Sequence, residues 1–175
     1  MKTKNVEFKA KVDDLSFYEE KLKQLGAYCE GSFKQADTYF NAKVGRLKLR
    51  EYEDYSSLIY YNRENVTSSK ESEVIYYKHE TNYALLDILK LQLGVKVYVE
   101  KVRVIYKVDN VSIHLDTVHG LGTFIEVEAE AKNESYTAAK LEEQCNYYYA
   151  LFQLTAADLV APSYSDLLLV AQHNQ

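Results

Sequence analysis

Apolar and polar residues alternate with a period of two over much of the chain, the pattern of strands that have two different faces. Val6, Phe8 and Ala10 alternate with charged residues near the N terminus, and Val102 and Val104 do so again later. This alternation, bounded by turn residues, predicts eight strands. They lie near residues 5–12, 33–41, 45–53, 56–63, 71–78, 97–108, 110–117 and 122–131.

Apolar residues at helical spacing predict helices between and after these strands. One helix runs from about residue 15 to Leu25, with Asp13 or Asp14 as its cap, and a Leu-rich helix near 81–93 should plug or cover the sheet. Helices resume from about residue 134. Their expected core contacts are Tyr136, Leu141, Tyr148, Leu151 and Phe152.

Short turns between successive strands favour antiparallel pairing, and eight antiparallel strands can close into a barrel. One Pro and six Gly form no linker-like tract. The sequence therefore predicts a single α+β domain over residues 1–175, an eight-stranded antiparallel β-barrel with flanking helices. Such a barrel has room inside for side chains or one small ligand.

Composition narrows the classes of function. The net charge of -5 weighs against a non-specific nucleic-acid binder, which needs a basic footprint. No stretch resembles a signal peptide or a membrane span, so we expect a cytoplasmic protein without a membrane partner. Cys29 and Cys145 are isolated, and we expect both to be small buried hydrophobes.

Charged residues occupy the opposite faces of the predicted strands, again two positions apart. The sets are Glu7, Lys9 and Lys11; Arg46, Lys48 and Arg50; Lys101 and Arg103; and Glu126 and Glu128. Burying unpaired charges is costly, so an interior lined by them must be wet or must hold matching charges. The pattern therefore predicts an inward surface that holds a polyanion and its metal.

The acidic set suits a hard divalent cation, because carboxylate oxygens without His or Cys favour magnesium or manganese. The candidate ligands are Glu7, Asp116, Glu126 and Glu128. The alternative is that Glu126 and Glu128 lie on a solvated face of the sheet.

The basic set suits phosphate, which arginine binds through two donors and lysine as a point charge. Taken singly, each of these residues could instead be a solvated surface charge. No glycine-rich phosphate loop is present in the sequence. The candidate substrate-binding residues are Lys9, Lys11, Arg46, Lys48, Arg50, Arg63, Lys101 and Arg103.

Other side chains give weaker signals. His114 is in phase with Asp116, but no Ser or Cys signature accompanies it, so a hydrogen-bonded structural histidine is favoured over a catalytic one. The hydroxyls of Tyr39, Tyr61 and Tyr106 are candidates to reach the interior.

Several of these segments together resemble the CYTH domain superfamily, also called triphosphate tunnel metalloenzymes. The resemblance covers roughly residues 4–130 and a tail at 162–168. The motifs that carry it are Asn5-Val-Glu7-Phe-Lys9-Ala-Lys11, Asp37-Thr-Tyr39-Phe40, Gly45-Arg46-Leu-Lys48-Leu-Arg50-Glu51, Leu58-Ile-Tyr-Tyr61-Asn-Arg63, Lys101-Val-Arg103, and His114-Leu-Asp116 with Gly120-Leu-Gly122-Thr-Phe124-Ile-Glu126-Val-Glu128.

The resemblance implies an eight-stranded triphosphate tunnel. In it Glu7, Glu126 and Glu128 look like metal ligands, and the basic set would bind the triphosphate. Asp116 and Lys48 are the predicted catalytic residues, Asp116 by helping to hold a metal or to orient the attacking group. The family signature is usually Glu-x-Glu-x-Lys, and Asn5 departs from it, which implies a change in metal stoichiometry or in activity.

Two reactions could share such a site. Attack by water hydrolyses a triphosphate, whereas attack by a ribose 3′-hydroxyl converts ATP to cyclic AMP and pyrophosphate. We expect hydrolysis, because a wet tunnel supplies water without nucleotide-specific contacts. The class IV adenylyl cyclase reaction, a polyphosphate or nucleotide-binding module without catalysis, and a purely structural barrel are the alternatives.

The expected partner is a small molecule with a triphosphate group, such as tripolyphosphate, thiamine triphosphate or ATP, together with Mg²⁺ or Mn²⁺. We expect no nucleic-acid partner. Exposed tyrosines would allow a homodimer, although nothing in the sequence requires one.

Overall fold

The computed structural model describes residues 4–62, 70–71 and 73–173, which form an α+β fold of nine strands and four helices. The strands are β1 (Lys4–Val12), β2 (Tyr28–Phe40), β3 (Arg46–Glu51), β4 (Tyr55–Asn62), β5 (Lys70–Glu71), β6 (Glu73–Glu80), β7 (Val95–Val108), β8 (Val111–Val118) and β9 (Gly122–Glu130). The helices are α1 (Ser16–Gln24), α2 (Tyr83–Leu93), α3 (Ala138–Leu151) and α4 (Tyr164–His173).

All strands belong to one antiparallel sheet in the order β5-β1-β9-β8-β7-β2-β3-β4-β6. Its two edge strands, β5 and β6, are separated in the chain by residue 72 alone. Consecutive Cα atoms lie about 3.8 Å apart, so the chain itself brings the two edges of the sheet together. Within the described residues the hydrogen-bonded ladder is not closed there. The predicted strands and their antiparallel pairing are confirmed.

Two details differ from the prediction. Strand β2 begins at Tyr28 rather than near residue 33, because it pairs with β7 along almost its full length across a register shift near Gly31. The two-residue β5 is a separate strand that pairs with β1.

The helices cover the outer face of the sheet and fill one end of its interior. Helices α1 and α3 pack Leu22 and Leu141 against the outer faces of β1, β8 and β9. Helix α2 packs Leu86 against Phe40 and Leu49, as expected for a helix that covers the sheet. Helix α4 instead packs against inward-facing apolar residues, which are Tyr39, Val97, Val99, Val118 and Phe124.

The cysteine prediction is confirmed for Cys145 and wrong for Cys29. Cys145 is a buried thiol in the core between α3 and the sheet. Cys29 is an exposed thiol, because it lies in the early part of β2, where Tyr28, Cys29 and Glu30 all face solvent. None of the helices in the described part of the chain has the length and apolarity that a membrane-spanning helix needs.

Candidate functional site

The inward faces of the strands enclose a polar cavity of about 210 Å³. Its walls combine basic, acidic and aromatic side chains from β1, β2, β3, β4, β6, β7 and β9 and from the start of α4. They are Asn5, Glu7, Lys9, Tyr39, Lys48, Arg50, Ile59, Tyr61, Val74, Tyr76, Lys101, Arg103, Glu126, Glu128, Ser163 and Tyr164.

The basic wall of the cavity consists of Lys48, Arg50, Lys101 and Arg103, and one buried carboxylate holds most of it in place. Asp37 is 1% exposed and accepts hydrogen bonds from Lys48 Nζ at 2.7 Å and from Arg50 Nε and Nη2 at 2.6 and 2.7 Å. Lys101 Nζ lies 3.8 Å from the same carboxylate. The sheet dictates this cluster, because β2 pairs with β3 so that Asp37 is opposite Arg50, and its neighbour in phase, Tyr39, is opposite Lys48.

Asp37 is the carboxylate that three basic side chains of this cluster share. Burial opposes ionisation of Asp37, but Lys48, Arg50 and Lys101 hold its pKa well below the ordinary value. Burial, together with the charges of Arg50, Arg103 and Lys48, holds the pKa of Lys101 well below its ordinary value despite Asp37. Burial and the neighbouring like charges therefore disfavour the charged form of Lys101, and a bound anion would offset both effects.

A second buried carboxylate anchors the remaining arginine. Asp116 is fully buried and accepts two hydrogen bonds from Arg103, at 2.7 and 2.6 Å, and a third from the Tyr164 hydroxyl at 2.7 Å. The same guanidinium donates to Glu126 Oε2 at 3.1 Å. Arg103 thus connects a carboxylate behind the wall with one that lines the cavity.

The acidic wall lies on the neighbouring strands β1 and β9. Their register places Glu7 directly opposite Glu128, and like charges in that position repel each other. Asn5 Nδ2 donates to Glu128 Oε1 at 2.6 Å. Burial, followed by the charges of Glu126 and Glu7, raises the pKa of Glu128 to about 7, and the Asn5 hydrogen bond works in the opposite direction.

A divalent cation fits the chemistry of this acidic wall. The donors are carboxylate oxygens, and a cation would offset both the burial and the repulsion by Glu126 and Glu7 that raise the pKa of Glu128. Among residues 4–62, 70–71 and 73–173, no three His, Cys, Asp or Glu side chains are grouped closely enough to hold a metal by themselves. Mg²⁺ usually keeps several waters and binds through only one or two protein carboxylates, which this wall supplies.

His114 lies next to Glu126 on the cavity side of β8. The two residues are direct cross-strand partners, and His114 Nδ1 is 3.9 Å from Glu126 Oε1. Burial and then the charge of Arg103 lower the pKa of His114 to about 4, so the imidazole is neutral and the contact is not an ion pair. The hydrogen bond expected for a structural histidine is missing at Nδ1, which has no partner among the described residues.

Most of the predicted site residues line this one cavity, and some lie elsewhere. Lys11 is exposed and lines a separate groove with Asp13 and Asp158, because β1 extends beyond the cavity. Arg46 donates to Ser163 and Asp166 at the start of α4, and Asp116 lies behind Arg103. Arg63 lies outside the described residues.

Among the tyrosines, Tyr39 and Tyr61 line the cavity, whereas the Tyr106 hydroxyl donates to Glu19 of α1 on the outer face.

Residues 162–166 add contacts that the strand pattern alone did not predict. Lys9 Nζ donates to the Pro162 carbonyl and lies 4.6 Å from the centre of the Tyr164 ring. Asp37 was part of a recognisable motif, but its role as an anchor depends on register, which the sequence does not show.

Comparisons with known proteins agree with this architecture. The model of the CYTH domain matches residues 3–158. A Methanocaldococcus jannaschii protein named "Putative adenylate cyclase MJ0240" is 31% identical over 173 residues, covering 93% of this chain and 97% of its own.

Solved structures with the same fold include proteins from Pyrococcus horikoshii and Vibrio parahaemolyticus. The PH1012 protein of Pyrococcus horikoshii superposes with a TM-score of 0.80 at 22% identity, covering 93% of this chain and 98% of its own. A Vibrio parahaemolyticus protein described as a "putative adenylate cyclase" superposes with a TM-score of 0.76 at 21% identity, covering 94% of this chain and 97% of its own.

Proposed function

The chain belongs to the CYTH domain family, and we propose that it hydrolyses a triphosphate in the charged cavity with the help of a divalent cation. The observation that supports the proposal is that a basic wall and an acidic wall line the same cavity. Strands β3 and β7 supply Lys48, Arg50, Lys101 and Arg103, and strands β1 and β9 supply Glu7, Glu126 and Glu128.

The size of the cavity favours the phosphates as the recognised group. About 210 Å³ is smaller than the roughly 300–1,000 Å³ pockets that bury whole drug-sized ligands. A triphosphate group suits this space, and an attached nucleoside or thiamine would extend beyond it. Hydrolysis needs only the phosphates and water in place, whereas cyclisation also needs the ribose held against them.

The basic residues are held ready for phosphate. Arg50 and Arg103 are fixed by two hydrogen bonds each to Asp37 and Asp116, so little side-chain entropy is lost when an anion binds. Preorganised donors of this kind stabilise charge that develops on phosphoryl oxygens.

For catalysis we assign the proton-handling role to Lys48. Its Nζ lines the cavity within 3.2 Å of the Tyr39 hydroxyl, and burial and then the charge of Arg50 lower its pKa. Lys48 would protonate the leaving phosphate oxygen as its P–O bond breaks, and it would recover a proton from the attacking water. A direct role for Asp116 stays a prediction, because its oxygens are engaged by Arg103 and Tyr164.

The cation would be held by Glu126 and Glu128, with Glu7 opposite Glu128. The chemistry that it supplies when bound is neutralisation of charge on the phosphoryl oxygens.

The decisive experiment incubates the protein with tripolyphosphate, thiamine triphosphate or ATP in Mg²⁺, in Mn²⁺ and in EDTA. We expect orthophosphate release that requires the metal and stops in EDTA, measured by colorimetric phosphate assay and by chromatography of the nucleotides. Tight binding of every substrate without turnover would exclude the enzyme and favour a binding module.

The cyclase reaction is the second candidate, favoured by the name of the 31%-identical relative. The same incubation separates the two reactions, because cyclisation yields cyclic AMP and pyrophosphate from ATP and leaves tripolyphosphate intact. Cyclic AMP as the main product would show that the protein catalyses cyclisation rather than hydrolysis.

The basic wall can be tested by comparing two lysines from the same predicted set. Lys101→Met should raise the Kd for tripolyphosphate in metal-free buffer by about 10-fold or more, because a charge-assisted contact contributes about 1.5–3 kcal/mol. Lys11→Met should change the Kd less than about 3-fold, since an exposed charge is screened by solvent. Isothermal titration calorimetry measures both, and equal effects of the two variants would contradict the assignment of the cavity.

A further inference from the structure

The polar atom that stands out in this site is Nδ1 of His114. The residue is 7% exposed, and Nδ1 has no hydrogen-bond partner among the described residues. A buried polar atom left without a partner costs about 1–3 kcal/mol, so such atoms are rare and call for an explanation.

The surroundings of His114 point to one partner. Strand pairing places it directly beside Glu126, whose Oε1 is 3.9 Å from Nδ1, too far for a hydrogen bond. The other oxygen of Glu126, Oε2, already accepts from Arg103 at 3.1 Å. Oε1 is therefore the acceptor that a small movement of the Glu126 side chain would bring to His114.

We infer that His114 is a positioning residue, which donates its Nδ1 hydrogen to Glu126 Oε1 when a divalent cation binds at the acidic wall. The inference rests on the proposed function, because it requires Glu126 to bind that cation. Glu126 would then be held from both sides, by Arg103 at Oε2 and by His114 at Oε1. A neutral imidazole has one ring hydrogen, and the Nδ1–H tautomer directs it to this acceptor.

Hydrogen bonds of this kind matter to metal sites in general. Ligating carboxylates are themselves held by hydrogen bonds, and loss of such a partner typically lowers metal affinity by about 10–100-fold. His114 is not among the residues that line the cavity, so it would act through Glu126 rather than on the substrate.

The test compares the affinity for Mn²⁺ of two variants, measured from the electron paramagnetic resonance signal of free Mn²⁺. His114→Phe keeps an aromatic ring but removes the donor, and we expect its Kd to rise by about 10–100-fold. His114→Asn places an amide donor near the position of Nδ1 and should stay within about 3-fold of the wild type. His119→Phe, at an exposed histidine just after the same strand, is the matched control and should bind as the wild type does.

Each outcome separates the inference from the proposed function. Tripolyphosphate binding in EDTA should be unchanged in His114→Phe, since the basic wall does not depend on His114. Wild-type Mn²⁺ affinity in His114→Phe, or equal losses in the Phe and Asn variants, would overturn the positioning role alone. A wild-type protein that binds no Mn²⁺ would remove the cation site and this inference with it.

Nuclear magnetic resonance of the wild-type protein gives a test that does not depend on the folding of a variant. With ¹⁵N-labelled histidine, addition of Mg²⁺ should show His114 as the Nδ1–H tautomer with its ring proton shifted downfield by hydrogen bonding. An Nε2–H tautomer under these conditions would contradict the inference. Nitrogen hyperfine coupling on bound Mn²⁺ would also overturn it, because His114 would then be a ligand itself.

Discussion

Asp37→Asn will lower the free energy of unfolding by about 3–5 kcal/mol, the loss expected when one member of a buried ionic cluster is removed. The substitution preserves shape but leaves Lys48, Arg50 and Lys101 without the carboxylate that neutralises them. A loss of this size is a large part of the roughly 5–15 kcal/mol that stabilises a typical protein.

Urea unfolding followed by circular dichroism measures this difference. Asp109→Asn is the matched control, because Asp109 forms an exposed ion pair with Lys132 at 3.0 Å and should contribute no more than about 1 kcal/mol. Added tripolyphosphate should restore part of the stability of Asp37→Asn, since an anion in the cavity replaces some of the lost negative charge. A variant within about 1 kcal/mol of the wild type would show that Asp37 does not anchor the basic wall.

The pH dependence of this difference has a definite sign. The pKa of Asp37 is depressed in the folded protein, so the unfolded chain takes up the proton first as the pH falls. The stability that Asp37 contributes is therefore complete above about pH 5, and it is lost as the pH falls through the folded-state pKa. The difference in unfolding free energy between wild type and Asp37→Asn should accordingly narrow as the pH falls into the acid range.

Asp37 also shows how far the sequence alone can reach. Alternation predicted the strands and the phase of Lys48 and Arg50, because side-chain direction in a strand is a local property. It could not show that Asp37 lies opposite Arg50, since that depends on the register between β2 and β3. Partners across a sheet are set by global packing, so the anchoring role became visible only in the fold.

Lys11 shows a second limit of prediction from the sequence, which is the position of a residue along its strand. It continues the phase of Glu7 and Lys9, and phase alone assigned it to the same site. Phase gives the face of a strand but not the depth along it, and β1 runs beyond the cavity before Lys11 is reached. A pattern can therefore assign a residue to the right face of a strand without showing which cavity the residue lines.

The buried carboxylates and the carboxylates at the cavity surface have different roles in the site. Asp37 and Asp116 are 1% and 0% exposed, and each holds cationic side chains in a fixed place. The acids at the cavity surface, Glu126 and Glu128, are left to face the interior. Charge that is fixed before the substrate arrives stabilises a transition state without reorganisation at the moment of reaction.

Glu128→Gln will reduce metal-dependent turnover by about 100-fold or more while the protein remains folded. Glutamine keeps the shape of the side chain but removes the carboxylate that faces Glu7 across β1 and β9. In metal-free buffer its stability should equal or exceed that of the wild type, because burial and the nearby charges of Glu126 and Glu7 disfavour the ionised form of Glu128. Phosphate release with saturating Mg²⁺ and thermal unfolding in EDTA measure the two effects.

Glu130→Gln is the control for this variant, because Glu130 is next in phase on β9 but exposed at its end. Its turnover should stay within about 3-fold of the wild type, as expected for an exposed charge screened by solvent. Tripolyphosphate should raise the melting temperature of Glu128→Gln in EDTA as it does for the wild type, whereas added Mg²⁺ alone should stabilise only the wild type. Undiminished turnover in Glu128→Gln would remove Glu128 from the site, whereas loss of tripolyphosphate binding would place it among the phosphate contacts rather than with the cation.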